Sequence, residues 1–229
     1  MTALLTLLLG ATAVLVPPGA SSDPRRGAGT RSALAQSAAL VLGVLLGITI
    51  LHLPWWQIAV VALTAGLWAA LARFAPGPRV TLGRWIAAIA VVALCVAIQD
   101  GRAGAGVQRL ADLCRAAGCL LLLTTPANRV VTDLLGIARG KARTQSTDVL
   151  EPEPALRGGR WIGPLERVLM LLLASTGAHQ AVAALIAAKG AIRFPEISKD
   201  STETKAEEFL VGSLASWILA ALAAVLLTR

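Results

Sequence analysis

Long apolar runs with almost no fixed charge decide what this chain can fold into. They cover residues 2–16, 33–51, 54–72, 85–99, 107–125, 164–188 and a final stretch beyond Glu208. A run of about 20 apolar residues is long enough to cross a bilayer as a helix. Charged residues make up only 15% of the chain and hydrophobic ones 56%; soluble domains carry about 25% charged residues. A surface this apolar cannot be hidden in one water-soluble core. The expected fold is therefore all-α: a polytopic helical membrane protein of six to seven transmembrane helices, with one short cytoplasmic amphipathic helix. Three regions follow: 1–110 with the first four spans, 111–158 with the fifth span, the amphipathic helix and a polar linker, and 159–229 as a C-terminal transmembrane hairpin.

The formal charge of +8 would suggest nucleic acid in a soluble protein. Here the Lys and Arg residues fall in short loops between apolar runs, which is the positive-inside pattern. We therefore expect the lipid bilayer as partner and no nucleic acid. Cys95, Cys114 and Cys119 lie in apolar surroundings at no zinc spacing, and His52 and His179 are the two histidines. No metal or cofactor is expected, and no repeat period of 20 to 50 residues is visible.

Residues 2–16 have no basic segment before them; Arg25, Arg26 and Arg31 come after. That order favours a retained helix with its N-terminus outside over a cleaved signal. At 1.5 Å per residue the run reaches only about 22 Å, thin for a core of about 30 Å. The next two spans are separated only by His52-Leu53-Pro54, a tight turn with Trp55 and Trp56 as interfacial anchors. His52 reads as a solvated turn residue, with proton titration as the alternative. Gly43 and Gly47 form a small-residue face for close helix contact. Arg73, Arg79 and Arg84 crowd the next loop, around Pro76-Gly77-Pro78.

The span over 107–125 begins with Arg109, Asp112 and Arg115, which share one helix face. Two readings stand: solvated charges at the interface, or a polar seam inside the bundle. Thr125-Pro126 can open a further helix, with Val130, Val131, Leu134, Leu135 and Ala138 on its apolar face. This is the segment expected to lie on the cytoplasmic surface. Residues 139–158 are polar and Pro-containing, a linker.

Residues 164–188 are long enough to span as one tilted helix. Pro164 would start it, Glu166 would meet its dipole, and Lys189 and Arg193 would follow its far end. The last helix opens on Thr204-x-x-Glu207, a capping-box pattern. In the seven-span arrangement fourteen cations face the cytoplasm. Seven lie outside: Arg102, Arg109, Arg115, Lys189, Arg193, Lys199 and Lys205. The C-terminus is then cytoplasmic. Lys189 and Arg193 would meet Glu207 and Glu208 in a charged clasp at the outer turn, while Glu166 and Arg167 mark the cytoplasmic entrance. An ion or headgroup site is the alternative use of those charges. Ser175, Thr176, Gly177, His179 and Gln180 form a polar patch near mid-membrane, read as interhelical hydrogen bonding or as a permeation path. Trp217 reads as packing.

Three motifs carry a resemblance. They are Gly159-x-x-Ile162-Gly163-x-Leu165-Glu166-Arg167, then Ala187-Ala188-Lys189-x-x-x-Arg193-Phe194, then Glu207-x-Phe209-Leu210-x-Gly212-Ser213-Leu214-x-Ser216. With Thr125-Pro126-Ala127-Asn128, they resemble the C-terminal region of a bacterial integral membrane family. Its members often begin with a domain of unknown function, family number 3307. The resemblance covers about residues 120–228, and the first 110 residues depart from the family's His-rich start. It implies a multi-pass protein of the bacterial cytoplasmic membrane and carries no reaction with it. Neither HExxH, GxSxG nor a P-loop is present. The expected role is a non-enzymatic membrane component that assembles with itself or with a membrane protein partner. The alternative is a small transporter or channel using Arg109, Asp112, Arg115, His179 and Gln180.

Overall fold

The computed structural model describes residues 1–16, 26–75, 77–98, 105–143, 159–197 and 204–228. All secondary structure among the described residues is helical. In chain order the helices are α1 (Thr2–Val14), α2 (Arg26–Thr49), α3 (Trp55–Phe74), α4 (Pro78–Ile98), α5 (Ala105–Leu123), α6 (Thr125–Arg143), α7 (Gly159–Ser175), α8 (His179–Ile197) and α9 (Thr204–Leu227). Five helical stretches are long and apolar enough to cross a membrane: Arg31–Thr49, Trp55–Phe74, Pro78–Ile98, Gly106–Arg139 and Ala206–Leu227. This fits a multi-pass membrane protein, with fewer qualifying stretches than the seven expected. The chain divides into two compact units, Met1–Pro126 and Ala127–Arg229. The boundary falls after α5, not at residue 110, because α5 packs along α1.

In the first unit α1 is the centre. It is apolar on every side, and such a helix is stable only when surrounded. Leu4, Leu5, Leu8 and Leu9 are fully buried among Leu51, Val61, Ala65, Trp68, Ala88 and Cys95. The segment expected as a thin first span is thus the core of a helical cage. The buried hydroxyls of Thr6 and Thr12 donate back to the carbonyls of Thr2 and Leu8, the local solution open to a threonine inside a helix. Gly43 and Gly47 do make a close face: a Cβ at either would run into Leu8 or Leu4 of α1. Gly118 of α5 is tighter still, with the α1 backbone at Thr6 and Leu7 where a Cβ would sit. Outside the cage, Leu34, Leu42, Leu63, Leu67, Ile86 and Leu94 face outward, an apolar exterior suited to lipid. The α2–α3 turn holds His52 at φ 47°, and His52 is exposed there.

The largest departure from expectation is the single helix over 164–188. It is two helices, α7 and α8, joined at Thr176-Gly177-Ala178. The break has a local cause. Gly177 takes φ 76°, its N–H donates to the Ala174 carbonyl at 3.2 Å, and the Ala178 N–H donates to the Leu173 carbonyl at 2.9 Å. That pair of bonds is a Schellman cap with glycine at the left-handed position. The hydroxyls of Ser175 and Thr176 bond back to the Leu172 carbonyl. The polar patch is therefore a helix terminus, and His179 and Gln180 open α8 with their side chains exposed. The cytoplasmic C-terminus assumed one crossing over 164–188, and two legs stand in its place.

Moving the helix start also changes the roles of its charges. Because α7 begins at Gly159, Pro164 lies inside it and Glu166 is beyond the first turn. Lys189 is mid-helix in α8, not at a helix end. The α6 helix exists as expected, but Val131 and Leu135 of its apolar face meet Gly212 of α9 instead of a lipid surface. The loop residues Arg25, Arg102, Lys199, Asp200 and Glu203, the linker from 144 to 158, and the capping side chain of Thr204 fall outside the described residues.

Candidate functional site

The second unit gathers its ionisable groups on α6, α7, α8 and α9. Glu166 and Lys189 stand nearly equidistant from Gly177 along the chain. Folding α7 back on α8 therefore brings them to one level. Lys189 Nζ lies 2.5 Å from Glu166 Oε2, with the side chains 27% and 9% exposed. The second carboxylate oxygen, Oε1, accepts from the Trp217 indole N–H of α9 at 2.9 Å. The Lys189 ammonium also lies 5.6 Å from the Trp217 ring centroid and 5.9 Å from that of Phe209, within the range of a cation–π contact. One carboxylate thus ties together three helices.

Its neighbour Arg167 is the largest fully buried side chain, 1% exposed. Its guanidinium donates to Ser216 Oγ of α9 at 3.0 Å and to Asn128 Oδ1 of α6. Adjacent residues of α7 thus reach α8 on one side and α6 and α9 on the other. Gly163, one turn earlier, leaves the room: a Cβ there would approach Asn128 Oδ1 to 3.1 Å and the Arg167 guanidinium to 3.4 Å. Nine residues of α9 separate Glu208 from Trp217, about 14 Å of rise. The Glu166–Arg167–Lys189 cluster therefore sits well inside the length of α9.

Near the N-terminal end of the same helix, Glu208 accepts two bonds from Arg139 of α6, Nε to Oε1 at 2.5 Å and Nη2 to Oε2 at 2.7 Å. The fork geometry suits guanidinium and carboxylate. Arg139 is 62% exposed, so the pair belongs to the class worth about 0–1 kcal/mol. The anticipated clasp is thus re-partnered. Lys189 pairs with Glu166 and Glu208 with Arg139, while Arg193 and Glu207 have exposed side chains. The cause is the Gly177 turn, which moves Lys189 from a far membrane face to the level of Glu166.

The five seam residues divide between the units. In α5, Asp112 pairs with Arg115 and accepts from Gln108 at 3.3 Å. Arg115 is buried, Arg109 and Asp112 are exposed, and His179 and Gln180 belong to the second unit. Sequence reasoning missed Asn128, Arg139, Ser216 and Trp217. Trp217 read as packing, yet it is a hydrogen-bond donor. Asn128 and Ser216 were already inside the motif stretches, and all three motifs converge on the one cluster.

The cluster is built for holding helices together. Its acceptors are taken by protein donors, and no group of three His, Cys, Asp or Glu able to hold a metal exists among the described residues. The three cysteines are buried and free. Comparison with protein-family models, curated proteins and solved structures gives no match.

Proposed function

We propose that the chain is a non-enzymatic component of a cell membrane that assembles with a second copy or a membrane protein partner through α8. The observation that carries this is the outward face of α8. From His179 to Ala191 its exposed side chains are His179, Gln180, Ala183, Ala184, Ala187, Ala188 and Ala191. Over the same length, other helices put large apolar groups outward: Leu42, Leu45 and Ile48 on α2, Leu165, Leu169 and Leu172 on α7, Leu214, Ile218 and Leu222 on α9; α8 does so only past Ala191, with Ile192 and Phe194. Lipid is met well by Leu and Ile. A face of alanine repeating every fourth residue is what lets a second helix approach closely inside a bilayer. Gly190 extends it, with open space where a Cβ would stand. The Glu166–Lys189 pair fixes the inner side of α8 and so presents this face in one orientation.

Permeation finds less support. Four of the five seam residues have exposed side chains, and in the second unit Glu166 pairs with Lys189 while Arg167 bonds to Ser216 and Asn128. The bacterial cytoplasmic membrane remains our reading of the location, drawn from the motif resemblance.

The double substitution Ala184→Leu/Ala188→Leu tests assembly. Both side chains point into open space, so the subunit should fold and insert normally. Crosslinking in native membranes should trap a defined oligomer or complex in the wild type. The leucine pair should weaken it by about tenfold or more, the equivalent of about 1–2 kcal/mol of small-residue packing. A wild type that stays monomeric under gentle extraction, or a leucine variant that assembles as well, would sink the proposal.

A further inference from the structure

A second feature concerns the first unit and rests on the membrane reading alone, not on assembly. From Pro24 to Gln99 the chain contains six arginines and no Asp, Glu or Lys. The fold brings four of them to one end of three helices. Arg73, at the end of α3, donates to Ser32 Oγ at 3.3 Å and Gln36 Oε1 at 3.1 Å on α2. Ser32 is the neighbour of Arg31. Gln36 is buried and donates in turn to the Thr12 carbonyl of α1 at 3.1 Å, so the α2–α3 contact is fixed from beneath. Arg79 lies in the first turn of α4. One turn further, the Arg84 guanidinium lies 4.3 Å from the Trp68 ring centroid, and Trp68 and Trp85 meet edge to face at 5.7 Å.

Two properties of this end go beyond a solvated basic loop. The Trp68 indole N–H is buried beside Arg84 and has no hydrogen-bond partner among the described residues. An orphaned buried donor is costly and calls for an acceptor. The cations also have exposed apolar side chains close to them in the chain. Leu34 lies one turn from Arg31, Phe74 adjoins Arg73 and is 82% exposed, and Ile86 follows Arg84. Guanidinium groups beside exposed hydrocarbon, with the buried Trp68 indole behind Arg84, match a phosphodiester carrying acyl chains, not a free anion.

We propose that Arg31, Arg73, Arg79 and Arg84, with Trp68, form a headgroup site for an anionic phospholipid. Arginine forks donate to phosphate oxygens in pairs, and basic pockets between membrane helices hold anionic headgroups. The acyl chains would run along α2, α3 and α4.

The test uses the full chain purified in mild detergent, with added phosphatidylglycerol or phosphatidylcholine and native mass spectrometry as readout. The wild type should retain phosphatidylglycerol and release phosphatidylcholine. Arg31→Gln/Arg79→Gln removes two exposed guanidinium groups and should leave the melting temperature unchanged. Its phosphatidylglycerol affinity should fall about 30-fold, from about 1 kcal/mol per cation near the surface at 1.4 kcal/mol per decade. Arg31→Lys/Arg79→Lys should restore most of it. Equal retention of both lipids, an unmoved affinity in the glutamine variant, or displacement of the lipid by inorganic phosphate each overturns the proposal. A chain that leaves membranes in a salt wash and retains neither lipid overturns the membrane reading as well.

Discussion

Replacing Glu166 with alanine should destabilise the second unit by about 3–5 kcal/mol, the cost of stripping one partner from a buried ion pair. The carboxylate serves α7, α8 and α9 at once, through Lys189 and Trp217. Its loss strands an ammonium that is only 27% exposed and an indole N–H together. Glu166→Gln should lie between, because its amide oxygen can still accept from Trp217 while the ionic attraction to Lys189 is gone. Removing both charges in Glu166→Ala/Lys189→Met should recover much of the loss, since an apolar pair needs no counter-ion. The readout is the thermal midpoint of the detergent-solubilised protein. A loss under about 1 kcal/mol for Glu166→Ala would match a solvated pair and would contradict the buried cluster.

The second large effect is expected in the first unit. Gly118→Val should prevent α5 from seating on α1, at a cost beyond the usual overpacking range of about 1–3 kcal/mol. A Cβ at this position would lie 2.5 Å from Leu7 N and 2.6 Å from Thr6 O. Those are backbone atoms of a helix held on all sides, so no side-chain rotation relieves them. Gly10, facing it, would place a Cβ 2.8 Å from the Gly118 carbonyl oxygen, so the two helices touch at the main chain. Gly66→Ala and Gly136→Ala are the controls. Both have open space where the Cβ would go, and alanine in a helix is favoured over glycine by about 1 kcal/mol. Protease resistance of α1 in membranes should fall for Gly118→Val alone. Unchanged resistance would mean that α1 is not the centre of the unit.

The positions of α2, α3, α4 and α9 were legible because a run of about 20 apolar residues has few folded alternatives. Two things were not. The first was the break at Gly177. Ser-Thr-Gly is a reasonable helix stop, but 25 apolar-rich residues matched a bilayer crossing, and the length argument overrode the cap. That one turn then misassigned Glu166 to a dipole, Lys189 to a far face and Glu208 to the wrong cation. The second was the place of α1. Hydropathy measures how apolar a segment is, and a helix facing lipid and a helix facing other helices score alike. Gly10 and Gly118 held the distinguishing signal, since close main-chain approach needs glycine on both helices. Of the cluster, Glu166, Arg167 and Lys189 stood out in the sequence as charges within apolar stretches, while their partners Asn128, Ser216 and Trp217 needed three helices to be placed side by side.

The symmetry of Glu166 and Lys189 about Gly177 also bears on how the chain enters the bilayer. Neither α7 nor α8 is among the described stretches long and apolar enough to cross by itself. A lone charge at the centre of an inserting helix costs about 2.5–3.5 kcal/mol, and α7 carries two. Once the turn closes, Glu166 and Lys189 neutralise each other without help from any later segment. The translocation machinery would then receive a self-compensated pair of helices instead of two charged ones in succession. Arg167 still needs Ser216, which is made later. The hairpin is therefore suited to wait in the membrane, half satisfied, until α9 arrives to complete it.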